Sequence, residues 1–600
     1  MKKVQEFFYN HTKIILFFIS MILLSSTIWW YKIPWGGDST FTIASGMYVA
    51  GYDWSSFVSY FSYYGFGYSV LLSPLMKLIH NPFILYKLML VCNCILYSLS
   101  ILLIYKIMTD FLHLNCKNAF VFSISCIIWF PSFAQKDFVI NEAPLLFWVV
   151  LNIYMTLKVS KLNGGKKRFF SGVLALLLAY GYILHSRSMI FMIAFLLTVV
   201  LYYIYEKKIL VSLEVFIPLF ALFVYIASSL SKSIQNTLWA ASSSGQLANT
   251  MSTAVGKARF LSYFKDFEKI IEFIKIFLSN LLTYVYVTGG LFAFVLSGAF
   301  FAIYIVIRRR REHNDEDSCV FLISCMGLLS FMAMIFTISL SYVGILEEGM
   351  YSYKYLFYVR YGAPFGVLIW IVFFWYICSE YKNKKGFLAT GIAILLTEYV
   401  WLNTFVSKRL NMLSYNFKKT MMFNIYKFAS DWQNKEFLDT QTFMLVSKIL
   451  LVLGMAFLIL LVLKKYKTVC ALFICISFGI YIYYNSLIAQ SINAEYKTAD
   501  STIEYFKEQS DIDWSQYKIY FGGKGAFLTT VRYGLFDIDM EYKKNLEDID
   551  LSNGICITNA LELFDEHSNS YIIELDSQQY IVTDNENIYI DILNDYKENK

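Results

Sequence analysis

The sequence predicts a polytopic α-helical membrane protein with a small α/β domain at its C-terminal end, and three observations predict it. The chain is 58% hydrophobic and 16% charged, with a mean hydropathy of +0.52 and seven prolines in 600 residues. Apolar runs of about 18 residues or more, long enough to cross a hydrocarbon core, recur along it. Residues 489–600 break that pattern, with 22 acidic and 9 basic side chains against 22 acidic and 42 basic in the remainder. A set of soluble domains is excluded by the first two observations, a disordered acidic tail by the Tyr and Ile content of the third.

The first run, "KIILFFISMILLSSTIWW", follows a basic N-terminus and ends in Trp29, Trp30 and Tyr31 rather than at a small-residue cleavage site. That reads as an uncleaved anchor with an interfacial aromatic belt. Thirteen spans are predicted, at about 14–31, 83–108, 118–135, 139–158, 169–185, 188–206, 209–230, 277–307, 318–341, 361–380, 386–405, 443–463 and 468–488. With the N-terminus inside, "KVSKLNGGKKR", "EKK", "RRRRE", "YKNKKG" and "KKYK" fall on the cytoplasmic side, the positive-inside pattern. The loop 406–442 is outside in this scheme and nevertheless basic.

Residues 1–488 are thus expected to form the membrane domain and residues 489–600 an extracytoplasmic one. In the latter, "WSQYKIYFGGKGAFL" reads as a strand and a Gly-rich turn, and "YIIELDSQQYIVTDNENIYIDIL" alternates as strands do. The ten cysteines lie mostly inside apolar runs and form no zinc or disulfide pattern. No P-loop, GxGxxG or HExxH motif occurs, which weakens ATP-driven, dinucleotide and zincin readings.

Ionisable residues near a bilayer are costly, so their positions inform. The topology brings Asp38, Asp53, Asp137, Glu142, His185, Arg187, Lys257, Arg259, Glu347, Glu348 and Arg360 to the outer face from distant segments. In the first outer loop, "PWGGDSTFTIASGMYVAGYDW" predicts a short helix with Asp38 at its start, entered through Gly36 and Gly37. The glycine-broken "YYGFGYSVLLSPLMKLI" that follows is too short for an ordinary span and reads as an interfacial or re-entrant helix.

The order "GD", helix, "GYDW", "YYGFGYSVLLSPLMKLIHNPFILYKLMLVCNCILYSLSILLIYKI" resembles the N-terminal region of GT-C glycosyltransferases. These polytopic enzymes use polyprenyl-phosphate sugars and include protein O-mannosyltransferases, of glycosyltransferase family 39, and the aminoarabinose transferases of lipid A. "FAQKDFVINEAPLLFWVVLNIYMTL" is similar to the family segment in which a glutamate opens the fourth span, and "FFSGVLALLLAYGYILHSRSMIFMIAFLL" to the Arg-bearing segment beyond it. The match runs in order over residues 14–206. Departures are Ser39 where many relatives carry an acid, "YYGFG" in place of "YPP", and Ser188 in place of a proline.

The resemblance implies transfer of a sugar from a polyprenyl-phosphate carrier to an extracytoplasmic glycan, lipid or protein, with inversion at the anomeric carbon. Asp38 is then the candidate general base for the acceptor hydroxyl; its alternative role is a helix-capping acid. Glu142 is either a second site carboxylate or a helix-start acid favoured by the dipole. Asp137 reads as a solvated loop charge. His185 and Arg187 occupy a short outer turn where Arg187 can bind the donor phosphate or snorkel to headgroups, and Lys257, Arg259 and Arg360 beside Tyr361 offer further cations. Asp53 and Tyr64 are candidate substrate contacts in the first loop, with an interfacial belt as the alternative for its aromatics.

No metal is assigned. Asp38 and Glu142 have the oxygen donors that a divalent cation takes, and the family includes members of both kinds. The rival functions are a flippase for lipid-linked saccharide, a glycan polymerase or ligase, and a wall-assembly scaffold. The first would put charges at mid-span, where acids here are nearly absent. Nothing points to nucleic acid.

Overall fold

A computed structural model describes residues 2–34, 36–61, 63–240, 265–312, 314–343, 359–379, 384–408, 440–544, 549–564, 570–576 and 578–599. Twelve helices among them are long and apolar enough to cross a membrane, from His11–Trp30 to Tyr466–Tyr496, and two shorter apolar helices, Cys116–Ile127 and Ala363–Cys378, join them. The chain is a multi-pass membrane protein with a small sheet domain after its last long helix.

The first loop forms as its sequence predicts. Gly36–Ala50 is helical, with Asp38 in the first turn, and Gly67–Leu78 is a separate helix packed against it. Two predicted spans take different forms. The region 118–135 is the helix Cys116–Ile127, the short helix Phe130–Phe133 and a turn. Pro131 has no amide to donate back to the preceding turn, so the chain bends there.

The predicted span 277–307 is two helices, Phe267–Val287 and Leu291–Arg308, joined by a Gly-Gly turn. The pair makes one net crossing. Trp239 packs on Tyr63 of the first loop before it, and Arg310 after it donates to the carbonyls of Ile204 and Tyr205 at the opposite end of the bundle. The parity of the predicted topology is therefore kept, although the helix count rises. We call the end carrying Asp38 the site end and the end carrying Arg308–Arg311 the basic end.

Residues 128–141 form a largely non-helical segment buried at the site end, where its backbone carbonyls need donors from the protein. The Asn93 amide donates to the carbonyls of Lys136 (2.9 Å) and Phe138 (2.8 Å), and the Tyr97 hydroxyl donates to that of Ser132 (2.7 Å). Asp137 departs from its expected solvated role. It is buried against Lys136 Nζ at 2.6 Å, and accepts from the hydroxyls of Thr27 and Tyr481. Burial of a charge demands such a partner, and removing one partner of a buried pair is strongly destabilising. Asp137→Asn should cost about 3 kcal/mol of stability, read as a lowered midpoint in thermal unfolding of the purified chain.

The C-terminal domain has a five-stranded sheet in the order β2-β1-β3-β5-β4, with β1 Lys518–Phe521, β2 Glu541–Tyr542, β3 Gly554–Thr558, β4 Tyr571–Asp576 and β5 Gln579–Thr583. β1 pairs in parallel with β2 and β3, and β5 pairs antiparallel with β3 and β4. The strand expected over "YKIYF" is present, and the alternation over "YIIELDSQQYIVT" is strand, folded as the antiparallel pair β4 and β5. "NENIYIDIL" instead joins the helix Glu586–Asn599, because Asn585 caps its start and Ile588 and Ile592 share one buried face. The domain rests on the site end. Tyr533 donates to the carbonyl of Pro82 at 2.9 Å, and the Tyr542 amide donates to Ser56 Oγ at 3.1 Å.

Candidate functional site

Four charged side chains from four separate segments converge at the site end. Gly36 at φ +59° turns the chain into the first-loop helix, and Asp38 stands on its opening turn, half exposed. Glu142 opens the helix Glu142–Ser160 and is buried, its carboxylate at the positive end of the helix dipole. Arg187 lies in the turn between Gly164–Leu184 and Ser188–Glu206 and is fully buried. Arg360 precedes the helix Ala363–Cys378.

Arg360 bridges the two acids. Its Nη1 donates to Asp38 Oδ2 at 2.7 Å and its Nε to Glu142 Oε1 at 2.5 Å. Arg187 Nη2 donates to the same Glu142 oxygen at 2.5 Å. The Tyr64 hydroxyl donates to Asp38 Oδ1 at 3.0 Å, so both Asp38 oxygens are engaged. Two guanidiniums thus face two carboxylates, and the formal charges balance.

The surroundings hold this geometry. Tyr361 lies against the Arg187 guanidinium, 4.6 Å from ring centroid to Cζ, a cation–π contact that replaces part of the lost hydration. His185 Nε2 accepts from Arg187 Nη2 at 2.9 Å. Burial, then the Arg187 charge, holds the His185 pKa well below its ordinary value, so the ring is neutral and keeps an acceptor lone pair. The Asn141 amide donates to the Tyr64 carbonyl at 2.7 Å and so ties the Glu142 segment to the first loop. Gly65, at φ +99°, lies where a Cβ would come within 2.6 Å of the Leu184 carbonyl, which is why the segment reads "YYGFG".

Two atoms on the buried charged groups of this cluster, Glu142 Oε2 and Arg187 Nη1, have no partner among the described residues. An unmade hydrogen bond on a buried charged group is expensive, so this donor and acceptor call for a water or a polar ligand beside them. A narrow crevice runs from Glu142 and Arg360 toward Tyr97, Ser132, Gln135 and Pro364.

Of the residues singled out from sequence, Asp38, Glu142, Tyr64, His185, Arg187, Arg360 and Tyr361 are in this cluster. Asp53 is not: its carboxylate caps the Ser55 amide at 2.8 Å and its carbonyl accepts from Arg532 at 2.9 Å. Lys257 and Arg259 lie outside the described residues, as do Glu347 and Glu348. Tyr97, Ser132 and Gln135 were not anticipated; the polar run "PSFAQKD" inside an otherwise apolar stretch was a sequence signal for Ser132 and Gln135, and Tyr97, in an apolar span, had none. Among the described residues no group of three or more His, Cys, Asp and Glu side chains is placed so that it could hold a metal ion.

No family model and no curated protein matches the sequence. Solved structures do match. ArnT from Cupriavidus metallidurans bound to undecaprenyl phosphate superposes with a TM-score of 0.53 and 10% identity over 96% of this chain and 98% of that one. The apo state of the same protein gives 0.51 and 9% over 97% and 98%. From the first-loop helices to the C-terminal sheet domain, the chain has the fold of ArnT.

Proposed function

We propose that the chain is a membrane glycosyltransferase that moves a sugar from a polyprenyl-phosphate carrier to an acceptor hydroxyl at the site end, which faces away from the cytoplasm. In this reading residues 1–488 are the catalytic part and residues 489–600 an extracytoplasmic domain. The observation that carries it is the bridge of Arg360 between Asp38 and Glu142, with Arg187 converging on Glu142. That arrangement sets an accessible carboxylate beside two cations in a site that opens at the end of the bundle. The similar fold of a protein bound to undecaprenyl phosphate suggests the carrier class.

The chemistry is one displacement. Asp38 takes the acceptor proton as the acceptor oxygen attacks the anomeric carbon. The bond from that carbon to the phosphate oxygen breaks, and the electron pair leaves on the phosphate. Arg187 and Arg360 stabilise the negative charge that develops there, and they do so strongly because both guanidiniums are largely buried. Asp38 is held by Arg360 and Tyr64 in this structure. An entering phosphate competes for the Arg360 guanidinium and so releases Asp38 Oδ2, which makes donor binding precede acceptor activation.

Binding of undecaprenyl phosphate to the purified chain in detergent tests the reading. Arg187→Ala and Arg360→Ala should each weaken it about tenfold or more, the worth of a charge-assisted hydrogen bond. Binding that is absent from the parent chain, or unchanged in both variants, overturns the phosphate assignment.

A further inference from the structure

A continuous chain of ring contacts joins the C-terminal domain to the helix that carries Asp38. Phe521 ends β1 and Tyr542 ends the paired β2, and their rings lie 5.4 Å apart. Both pack on Phe57 of the first loop, at 5.6 Å and 5.4 Å. Phe57 in turn meets Phe61 at 5.1 Å and Phe41 at 6.0 Å, and Phe41 stacks on Phe61 at 4.2 Å. Phe41 is one turn beyond Asp38 on the same helix, and Tyr64, which donates to Asp38, comes three residues after Phe61. Residues three apart on a helix share a face, so the ring of Phe41 fixes the rotation of the turn that carries Asp38.

We infer that the C-terminal domain is a positioning element for the proposed base, acting through Tyr542 and Phe57 on the Phe41–Phe61 pair. Tyr542 and Phe57 are positioning residues, since each acts on Asp38 through other rings. Aromatic rings transmit such a constraint well because they have few rotamers, and packed interiors pass displacement on rather than absorb it.

A second contact keeps the domain seated. Arg532, buried, lies over the Trp54 ring at 5.0 Å and donates to the Asp53 carbonyl at 2.9 Å and the Ile538 carbonyl at 3.1 Å. Burial pulls its pKa down to about 9, against the opposing pull of Asp539, Asp53 and Asp537. Burying the guanidinium is costly, and the Asp53 carbonyl and the Trp54 ring offset that cost only where the domain sits as it does, so the contact fixes the seat of the domain.

The functional consequence depends on the assignment of Asp38 as base, whereas the structural one depends on geometry alone. Hydrogen exchange of the full-length chain reads the second directly. Tyr542→Ala should raise exchange at the backbone amides from Thr40 to Ser45, while those of Glu142–Ser160 stay as in the parent; Tyr542→Phe should match the parent throughout. Unchanged exchange at 40–45 in Tyr542→Ala, with β3 still protected, overturns the inference. Should β3 lose protection as well, Phe57→Leu, on the membrane side of the junction, gives the same two readings.

Sugar transfer supplies the functional arm. In Tyr542→Ala, kcat should fall by up to about 10²-fold, the effect of a displaced catalytic group, with undecaprenyl phosphate affinity within about twofold of the parent. If the parent chain fails to bind undecaprenyl phosphate, the proposed function fails, and hydrogen exchange still decides the positioning role.

Discussion

Asp38→Asn is expected to fold, to bind undecaprenyl phosphate, and to transfer sugar about 10²–10⁴-fold more slowly than the parent chain. Asparagine preserves the shape of the side chain and an oxygen for the Tyr64 hydroxyl, but it cannot take a proton. Asp38 is half exposed, so its ion pair with Arg360 contributes little to stability and its loss leaves the fold intact. The measurement is release of radiolabelled sugar from polyprenyl phosphate in membranes containing each form of the chain. A variant that transfers at the parent rate would show that Asp38 is a helix-start acid and nothing more.

Glu142 differs because it is buried between two guanidiniums. Glu142→Gln removes the one carboxylate that both Arg187 and Arg360 share, leaving buried positive charge uncompensated. The expected cost is about 3–5 kcal/mol of stability, seen in thermal unfolding, together with loss of transfer. Replacing both members of the buried pair, as Glu142→Leu with Arg187→Met, should recover most of the stability, because apolar residues of similar volume pack without a desolvation cost. It should recover none of the transfer. A double variant that regains activity would overturn the proposed role of the pair, whereas one that remains unstable would place its weight in packing.

Much of the fold was legible because bilayer crossing imposes a length and a polarity on each segment. The helix starting near Asp38, the separate Gly67–Leu78 helix and the parity of the crossings follow from glycine placement, apolar run length and the basic loops. Asp137 was misread because "KD" in a short connection looks solvated; burial beneath Thr27 and Tyr481 comes from segments 110 and 344 residues away. Run length also concealed the break at 289–290, since "TYVYVTGGLFAF" is apolar almost throughout and only the left-handed glycines divide it. Asp53 looked like Asp38 in type and loop, but it caps a helix turn and meets Arg532 instead.

By itself the sequence determined that this chain crosses a membrane many times, carries a small α/β domain after its last span, and gathers acids and bases at one end. Those are consequences of local hydropathy, charge and turn chemistry, which each segment expresses without reference to the others. The tertiary structure decided which charges meet: Arg360 with Asp38, 322 residues earlier, and with Glu142, 218 residues earlier. It also decided that the C-terminal domain leans on the loop that holds Asp38. Such pairings depend on how helices pack in three dimensions, and packing is set by the shapes of both partners at once, so neither segment encodes it alone.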